Sequence, residues 1–455
     1  MNAPKYKFRI SALSFVLLLM LSGCSSAPVS PAESLESTQP GQIEDMKAII
    51  PTTPPAAAGN RPLRPVTTTV TLSDTGIYID GIGAQAEGSI LTITADGVYE
   101  IKGSLSDGQI IINAPDAAEV ELLLAGAEIT SSENAAIYCM NADNLIISLA
   151  DGTENTLTDA ANYTYADAVN EEPDAVLFSK VDMNIGGSGS LTVNAYFMHG
   201  ISSKDDLIIE DGNFTIYAAS HGIRGRDSLT VLDGIFDIEA GGDGIQSSNI
   251  ERADYGWVLL TGGQYSMRVN GDGIQAETAL TVQGGTYDIT TSGNPANDST
   301  SQKGLKAGTI LTVSDGDFKI NSIDDGVHSN VDATIEGGTF LIETGDDGIH
   351  ADRNLAVKGG TIDVMTCYEG FEGTTVVISG GKSFISSSDD AISAAGGTDG
   401  TAVRPRADPD VYVRITGGEL EAVSGGDTVD ANGYIFIDGG TIRLSSPPRP
   451  SYEGA

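Results

Sequence analysis

A 22-residue repeat runs through the last two-thirds of the chain and constrains its architecture more than any single residue does. One short motif reads Asp-Gly-Ile or a close variant, and its glycine occurs at Gly200, Gly222, Gly244, Gly273, Gly304, Gly326, Gly348 and Gly370. Most of these glycines follow one another at the repeat step itself, and two intervals, Gly244 to Gly273 and Gly273 to Gly304, are longer. A second motif, Gly-Gly-x-aromatic or similar, keeps the same phase from Gly212 to Gly440. Two motifs in phase indicate stacked copies of one supersecondary unit.

The repeat unit is made of β-strands. Residues 207–224 give three short alternating apolar runs broken by Gly, Asp or Asn, and such alternation puts one set of side chains inside. One repeat at about 3.3 Å per residue spans roughly 70 Å, which is enough for a three-sided coil, and coils stack about 4.8 Å apart. We therefore predict an all-β fold, a right-handed parallel β-helix with three short strands per coil. Helical or leucine-type solenoids lack their signatures here.

The same pattern divides the chain into segments. Residues 67–455 form the predicted β-helix domain, in which 67–195 are divergent N-terminal coils and 196–455 are regular repeats. A residue in a regular repeat should lie directly above the equivalent residue of the preceding repeat. Residues 25–66 are rich in Pro, Ser, Thr and Ala, which is typical of an unfolded tether.

The N-terminus predicts where the protein resides. Residues 1–24 combine a basic start, a short apolar run and the sequence Leu-Ser-Gly-Cys24, which together are typical of a secretory signal. The ending resembles a bacterial lipobox, which implies cleavage before Cys24 and lipidation of its thiol. We therefore expect a lipoprotein on the extracellular face of the cell envelope, with an ordinary signal peptide as the alternative.

The net charge of −39 excludes some partners. Nucleic acid would be repelled, and anionic lipid headgroups are disfavoured, so we expect membrane contact through the lipid anchor alone. Cys139 and Cys367 are the cysteines that remain after Cys24, and we expect buried thiols rather than a disulfide. We expect the protein to act as a monomer.

Carboxylates recur in register with the first motif. Consecutive coils place them about 5 Å apart, where like charges destabilise one another unless a cation bridges them or their pKa values rise. Clustered carboxylate oxygens suit Ca²⁺. The candidate ligands are Asp324, Asp325, Asp346, Asp347, Glu369, Glu372, Asp389 and Asp390. The alternative is that Asp-Gly is turn chemistry, repeated because the turn repeats.

All four histidines belong to the same motif. His199 and His221 replace its aspartate in two consecutive coils, whereas His328 and His350 follow its glycine by two positions. The members of each pair are separated by one repeat step, so we expect each pair to stack ring on ring. No third converging ligand can be assigned, so structural or ligand-contacting roles are favoured over a transition-metal site.

Lys303 and Trp257 interrupt the pattern. Lys303 stands where other coils carry aspartate, and a lysine among carboxylates most often forms compensating ion pairs on the surface. With a lowered pKa it could instead act as a general base toward a uronate, although the neighbouring acids would raise that pKa. Trp257 lies within the first long repeat step, where we expect a loop. Its ring could stack on a sugar or cover the coil edge.

These motifs support a resemblance to a known family. The stretches Asp324-Asp-Gly-Val-His328, Asp346-Asp-Gly-Ile-His350 and Lys303-Gly-Leu-Lys306 resemble secreted bacterial carbohydrate-binding β-helices of the kind that binds cellulose and polygalacturonate. That family is related in fold to calcium-dependent pectate lyases, and the resemblance covers roughly residues 70–455. It implies Ca²⁺ in the coil stack and adhesion to plant-type polysaccharide. By the same analogy the paired aspartates of these motifs are the calcium ligands, and Lys303 lies where a lyase base would.

The sequence thus predicts a non-catalytic, lipid-anchored protein that binds polygalacturonate or cellulose with Ca²⁺. The predicted ligand-contacting residues are Lys303, Lys306, His328, His350 and Trp257. Two alternatives remain, and a shared fold does not choose among them. One is a pectate-lyase-like enzyme with Lys303 as its catalytic residue. The other is a structural, adhesin-like surface spacer.

Overall fold

The computed structural model describes residues 64–165, 172–293, 301–395 and 407–446. All regular secondary structure in these ranges is β-strand, as predicted. No helix long and apolar enough to cross a membrane occurs among these residues. The predicted signal peptide, the lipidated Cys24 and nearly all of the tether lie outside the described residues.

In the described ranges the strands follow one another from β1 to β41. The first thirteen are β1 (Thr68–Leu72), β2 (Tyr78–Asp80), β3 (Ala84–Glu87), β4 (Ile90–Ile93), β5 (Gly97–Leu105), β6 (Gln109–Asn113), β7 (Glu119–Thr130), β8 (Ile137–Asn141), β9 (Asn144–Leu149), β10 (Glu154–Thr158), β11 (Ala175–Ser179), β12 (Asp182–Gly187) and β13 (Ser190–Ala195). The next fourteen are β14 (His199–Ser203), β15 (Asp206–Ile209), β16 (Asn213–Ala218), β17 (Ile223–Gly225), β18 (Ser228–Val231), β19 (Ile235–Ala240), β20 (Ile245–Ser247), β21 (Trp257–Leu260), β22 (Gln264–Val269), β23 (Ile274–Ala276), β24 (Ala279–Val282), β25 (Thr286–Thr291), β26 (Leu305–Ala307) and β27 (Ile310–Val313). The last fourteen are β28 (Asp317–Ser322), β29 (Val327–Ser329), β30 (Asp332–Ile335), β31 (Thr339–Thr344), β32 (Ile349–Val357), β33 (Thr361–Cys367), β34 (Phe371–Ile378), β35 (Lys382–Ser387), β36 (Ile392–Ala394), β37 (Tyr412–Ile415), β38 (Glu419–Ser424), β39 (Asp430–Ala431), β40 (Tyr434–Ile437) and β41 (Thr441–Ser445).

From β10 to β29 each strand pairs in parallel with the third strand along the chain, so the chain visits three ladders in turn. Ladder A runs from β10 through β13, β16, β19, β22, β25, β28, β31, β33, β35 and β38 to β41. Ladder B begins with β11, β14 and β17, and ladder C begins with β12, β15 and β18. The long strands β32 and β34 serve both B and C. This is a mostly parallel, solenoid-like arrangement, consistent with a β-helix.

The register follows the sequence repeat. Val327 pairs with Ile349, one regular repeat step further on, whereas Ile274 pairs across a long step with Leu305. The divergent N-terminal coils differ in one respect that the sequence did not predict. There β1 pairs antiparallel with β2, and β3 pairs antiparallel with β4. All other strand pairings of the described residues are parallel.

Ladder A turns the aromatic side chains of the second motif into the core. In β31 the side chains alternate between exposed and buried, with Phe340 and Ile342 inside. Six rings at the equivalent position of consecutive coils stack with centroids 4.5 to 5.0 Å apart and planes within 8° of parallel. They are Phe214, Phe236, Tyr265, Tyr287, Phe318 and Phe340. The aromatic residue of the second motif is therefore a core position. Cys139 and Cys367 are buried free thiols, as predicted.

The two glycine motifs are required for different reasons. Gly338 of the second motif has φ +91°, a left-handed conformation that a side chain would disfavour. Gly326 of the first motif has no such angle, but a Cβ there would lie 2.7 Å from the carbonyl oxygen of Gly348 in the next coil. The glycine of Asp-Gly is thus needed for close stacking of coils, and not for the turn chemistry that was the sequence-based alternative.

Candidate functional site

The residue before the first-motif glycine forms a vertical row, here called the acidic column. Its members are His199, His221, Asp243, Asp272, Lys303, Asp325, Asp347, Glu369 and Asp390. Most of these side chains accept a hydrogen bond from the backbone N–H one coil further along. The donor–acceptor pairs are His221 N to His199 Nδ1 (3.3 Å), Asp243 N to His221 Nδ1 (2.9 Å), Asp272 N to Asp243 Oδ1 (2.8 Å), Lys303 N to Asp272 Oδ1 (2.8 Å), Asp347 N to Asp325 Oδ1 (3.1 Å), Glu369 N to Asp347 Oδ1 (3.2 Å) and Asp427 N to Asp390 Oδ1 (2.6 Å). The column therefore caps the backbone of successive coils.

Lysine cannot accept such a bond, and the coil after Lys303 compensates. There the N–H of Asp325 is bound by the carboxylate of its own neighbour, Asp324, at 3.0 Å. This hydrogen bond gives a structural reason for the Asp324-Asp325 pair, which the sequence pattern had indicated as a possible metal motif. The first aspartate of this pair supplies the acceptor that Lys303 lacks.

A second row of side chains, here called the flanking column, lies beside the acidic column. It follows ladder B in register and contains Arg224, Gln246, Gln275, Lys306, His328, His350, Glu372 and Ser393. The second carboxylate oxygen of the acidic column faces it. Gln246 Nε2 donates to Asp243 Oδ2 at 2.6 Å, and Lys306 Nζ lies 3.4 Å from Asp272 Oδ2. The two columns together form the candidate site.

Lys303 lies largely buried among the carboxylates, with its side chain 12% exposed. The ion pairs that the sequence predicted therefore form, but not on the surface. The Lys303 ammonium lies 2.7 Å from Asp324 Oδ1 and 2.7 Å from Asp325 Oδ2. Burial opposes the charged form, but the two carboxylates outweigh burial and raise the pKa of Lys303. A raised pKa disfavours a neutral lysine that could act as a general base.

Asp325 is the most heavily compensated acid of the column. Burial alone would raise its pKa, but the hydrogen bond with His328, the imidazole of His350 at 3.8 Å and the charge of Lys303 hold that pKa well below the usual range. His328 Nδ1 lies 2.7 Å from Asp325 Oδ2. The carboxylates of Asp324, Asp325 and Asp346 do lie within 4.8 Å of one another, as a metal site would need. An ammonium group already provides the positive charge there.

The next coils along the column lack such a lysine. Asp347 and Glu372 offer ligand atoms within 4.8 Å of each other and of His350. Burial, and after it Glu372, raise the pKa of Asp347 well above its usual range, and the same two causes raise the pKa of Glu369 to about 7. Glu369 Oε2 is buried without a hydrogen-bond partner among the described residues. Raised pKa values and an unpaired oxygen indicate carboxylates whose negative charge is under-compensated.

His350 is the third member of this cluster. Burial opposes its charge, but Asp325 and Glu372 overcome burial and raise its pKa. Its Nδ1 lies 3.4 Å from Asp347 Oδ2 and 3.6 Å from Glu372 Oε2, which is long for a hydrogen bond. The candidate ligands Glu369, Asp389 and Asp390 belong to none of the three clusters that could hold a metal among the described residues. Asp389 and Asp390 lie one coil further on than Glu369.

The two histidine pairs behave differently. His199 and His221 stack as predicted, with centroids 4.9 Å apart and planes 18° from parallel. The predicted stacking of His328 on His350 is wrong, because these rings meet at 82°. The reason is that His328 is held at both nitrogens, by Asp325 and by Asn330 at 2.9 Å.

Trp257 does not lie in a loop, as its long repeat step had indicated. Trp257 is the first residue of β21, is half-buried and pairs with Ser228. The residues inserted in the long repeat step all precede it.

Sequence reasoning missed a groove of about 510 Å³, whose lining includes Tyr196, Tyr217 and Arg268. None of these three belongs to a repeated motif. Their only signal is that Tyr217 and Arg268 occupy the same outward position two coils apart.

Comparisons with known proteins agree with the carbohydrate-related prediction. The family described as carbohydrate-binding domain-containing protein matches residues 87–348 and 347–453. A protein of that description from Acetivibrio thermocellus is 39% identical over 238 residues, which are 52% of this chain and 79% of the relative. Among solved structures, a gadolinium derivative of the polysaccharide lyase-like protein from C. thermocellum shares 34% identity. That match has a TM-score of 0.47 and covers 50% of this chain and 96% of that chain. The chain belongs to the family of carbohydrate-binding domain-containing proteins.

Proposed function

We propose that the protein holds an acidic plant-type polysaccharide of the polygalacturonate class at the cell surface without cleaving it, and that Ca²⁺ joins protein and glycan. Family membership supports the polysaccharide partner. The observation that carries the finer proposal is the cluster of Asp347, His350 and Glu372, together with the under-compensated carboxylate of Glu369 in the same coil as Glu372. A chain of net charge −39 repels a polyanion, and a divalent cation between them reverses that repulsion.

The donor chemistry of this cluster fits Ca²⁺. Asp347 and Glu372 offer carboxylate oxygens that lie within 4.8 Å of each other, and Glu369 adds a buried, unpaired oxygen in the same coil as Glu372. Carboxylate oxygens are the ligands that hard cations prefer. When bound, Ca²⁺ would supply positive charge that carboxylates of the glycan can share with those of the protein. It would also compete with the proton on His350, whose raised pKa reflects the same negative surroundings.

The Asp324, Asp325 and Asp346 cluster is a weaker candidate for the cation. Lys303 already lies 2.7 Å from two of these carboxylates, so a metal ion there would have to displace a buried ammonium. We therefore place the proposed Ca²⁺ at the coils of Asp347 and Glu369.

We further propose that the three ladders form a right-handed parallel β-helix and that lipidated Cys24 anchors a monomeric protein on the extracellular face of the envelope. The basic start, the apolar run and the Leu-Ser-Gly-Cys sequence support the anchor. Metabolic labelling with a radioactive fatty acid tests it. Label should enter the wild-type chain and be absent from a Cys24→Ser variant.

Calorimetric titration of polygalacturonate into the full-length Cys24→Ser chain tests the binding function. We expect heat with Ca²⁺, none with chelator, and no rise in the ultraviolet absorbance of unsaturated products. A Glu369→Gln variant should lose the calcium-dependent binding, whereas the exposed Glu336→Gln control should keep it. Rising absorbance that disappears in Lys303→Ala would establish a lyase instead. If cellulose binds in place of polygalacturonate, the acidic-glycan proposal is wrong, and no binding to either would favour a spacer.

A further inference from the structure

The groove that sequence reasoning missed crosses the outer face of ladder A. Besides Tyr196, Tyr217 and Arg268, its lining includes Glu239, Asn270 and several alanines. Three of these residues follow one another in register, because Tyr217 pairs with Glu239 and Glu239 with Arg268. The groove has a volume of about 510 Å³, is open to solvent, and is lined by alanines, aromatic rings and a few polar groups, so it could hold an extended chain.

The two tyrosines present their rings to solvent. The residue exposure is 62% for Tyr196 and 45% for Tyr217, in a protein that buries most of its other large apolar side chains. Neither phenol oxygen has a hydrogen-bond partner among the described residues. Two unpartnered aromatic rings in one groove form an apolar platform with polar tips, which is the surface on which the apolar face of a sugar ring packs.

The charges of the groove are balanced. Arg268 Nη2 lies 2.8 Å from Glu239 Oε1 and 3.2 Å from Asp237 Oδ1, and these partners neutralise the only cation of the lining. On a chain of net charge −39, this groove offers no uncompensated positive group to a uronate. Paired donors and acceptors beside aromatic rings instead suit hydroxyl groups, which both donate and accept hydrogen bonds.

We propose that this groove is a second glycan site, specific for an uncharged pyranose chain and independent of Ca²⁺. Sugar rings pack on Tyr196 and Tyr217, while Arg268, Glu239 and Asn270 bind hydroxyl groups. The site differs from the calcium-dependent cluster in position, charge and required cation, so the two sites would let one protein hold neutral and acidic stretches of polysaccharide.

Titration of cello-oligosaccharide into the full-length Cys24→Ser chain, with chelator present throughout, tests the proposal. We expect binding that weakens at least about tenfold in the Tyr196→Ala/Tyr217→Ala double variant, which corresponds to about 1.4 kcal/mol. The Tyr196→Phe/Tyr217→Phe variant keeps the rings and should bind like the wild type. Tyr78→Ala, which removes a 67% exposed tyrosine from β2, is the matched control.

Three results would overturn the proposal. They are no binding of the neutral probe by the wild type, equal binding by the double alanine variant, and equally tight binding of a galacturonate oligomer in chelator. Each is independent of the proposed function, because calcium-dependent binding of polygalacturonate is measured without chelator and depends on Glu369. Unchanged thermal midpoints of the tyrosine variants would exclude misfolding as the cause of lost binding.

Discussion

The ammonium of Lys303 lies 2.7 Å from Oδ2 of Asp325, one coil further along the acidic column. Because of this contact the column changes character at that point. Asp325 has a lowered pKa and three cationic or hydrogen-bonding neighbours, whereas Asp347 in the next coil has a raised one. Up to the coil of Asp325, the protein's own cationic groups balance the buried carboxylates. From the coil of Asp347 onward they do not, and a bound cation would stabilise these carboxylates.

Replacing Lys303 by methionine should destabilise the protein by about 3–5 kcal/mol, because a buried carboxylate loses its counter-charge. The loss should be visible as a lower urea midpoint at neutral pH. Adding Asp325→Asn to the variant should recover part of it. The control is Lys319→Met, because Lys319 pairs with Asp288 on the surface. This substitution should lower the free energy of unfolding by less than about 1 kcal/mol. Equal losses of stability in the two methionine variants would contradict the role of Lys303 as the counter-charge of Asp325.

Calcium should stabilise the wild type, and more at pH 8 than at pH 5. The raised pKa values of Asp347 and Glu369 mean that protons compete with the cation at low pH. At Ca²⁺ concentrations about 100-fold above Kd the gain should approach about 2.7 kcal/mol. Differential scanning calorimetry with Ca²⁺ and with chelator measures it. Glu369→Gln should reduce the gain and Glu336→Gln should not, whereas a gain that is unchanged in Glu369→Gln would place the ion elsewhere.

The ladders could be predicted from the sequence because the spacing itself encodes the register. A fixed repeat step can only mean that Val327 lies beside Ile349. The antiparallel pairs at the first coils could not be predicted, because no repeat precedes β5 to define a partner.

The candidate site was harder to predict. The repeat spacing gives the coil and the register position of a residue, but it does not give the direction of the side chain. Asp325 and Asp347 occupy equivalent positions, and the difference between them arises from the direction of the Lys303 side chain. The neutral groove was missed for a related reason. Tyr196 and Tyr217 are not separated by the regular repeat step and follow no motif, so only the folded chain brings them together.

Asp243 should make stability fall as pH rises from about 4 to about 7. Burial, and then the charge of Asp272, raise its pKa from 3.8 to about 7, so the folded state binds more protons than the unfolded state in this window. Asp243→Asn keeps an oxygen for the N–H of Asp272 and cannot ionise. It should therefore be more stable than the wild type at pH 8, by up to roughly 4 kcal/mol, and similar to it at pH 4. Urea midpoints of the two proteins across this range, in chelator, measure the difference, and parallel curves would contradict the prediction.

The aromatic stack of ladder A should tolerate a hydroxyl group but not a gap. Phe318 lies between Tyr287 and Phe340, with centroids 4.7 and 4.5 Å away. Phe318→Ala leaves a cavity between two rings and should cost about 3–5 kcal/mol. Phe318→Tyr should cost less than about 1 kcal/mol, because the hydroxyl of Tyr287 already donates to the carbonyl oxygen of Gly284, earlier in the same turn, at 2.7 Å. The new tyrosine can donate to the carbonyl oxygen of Asp315 in the same way. Urea unfolding of both variants distinguishes the two costs, and a large loss in Phe318→Tyr would mean that no room for the hydroxyl exists at this coil.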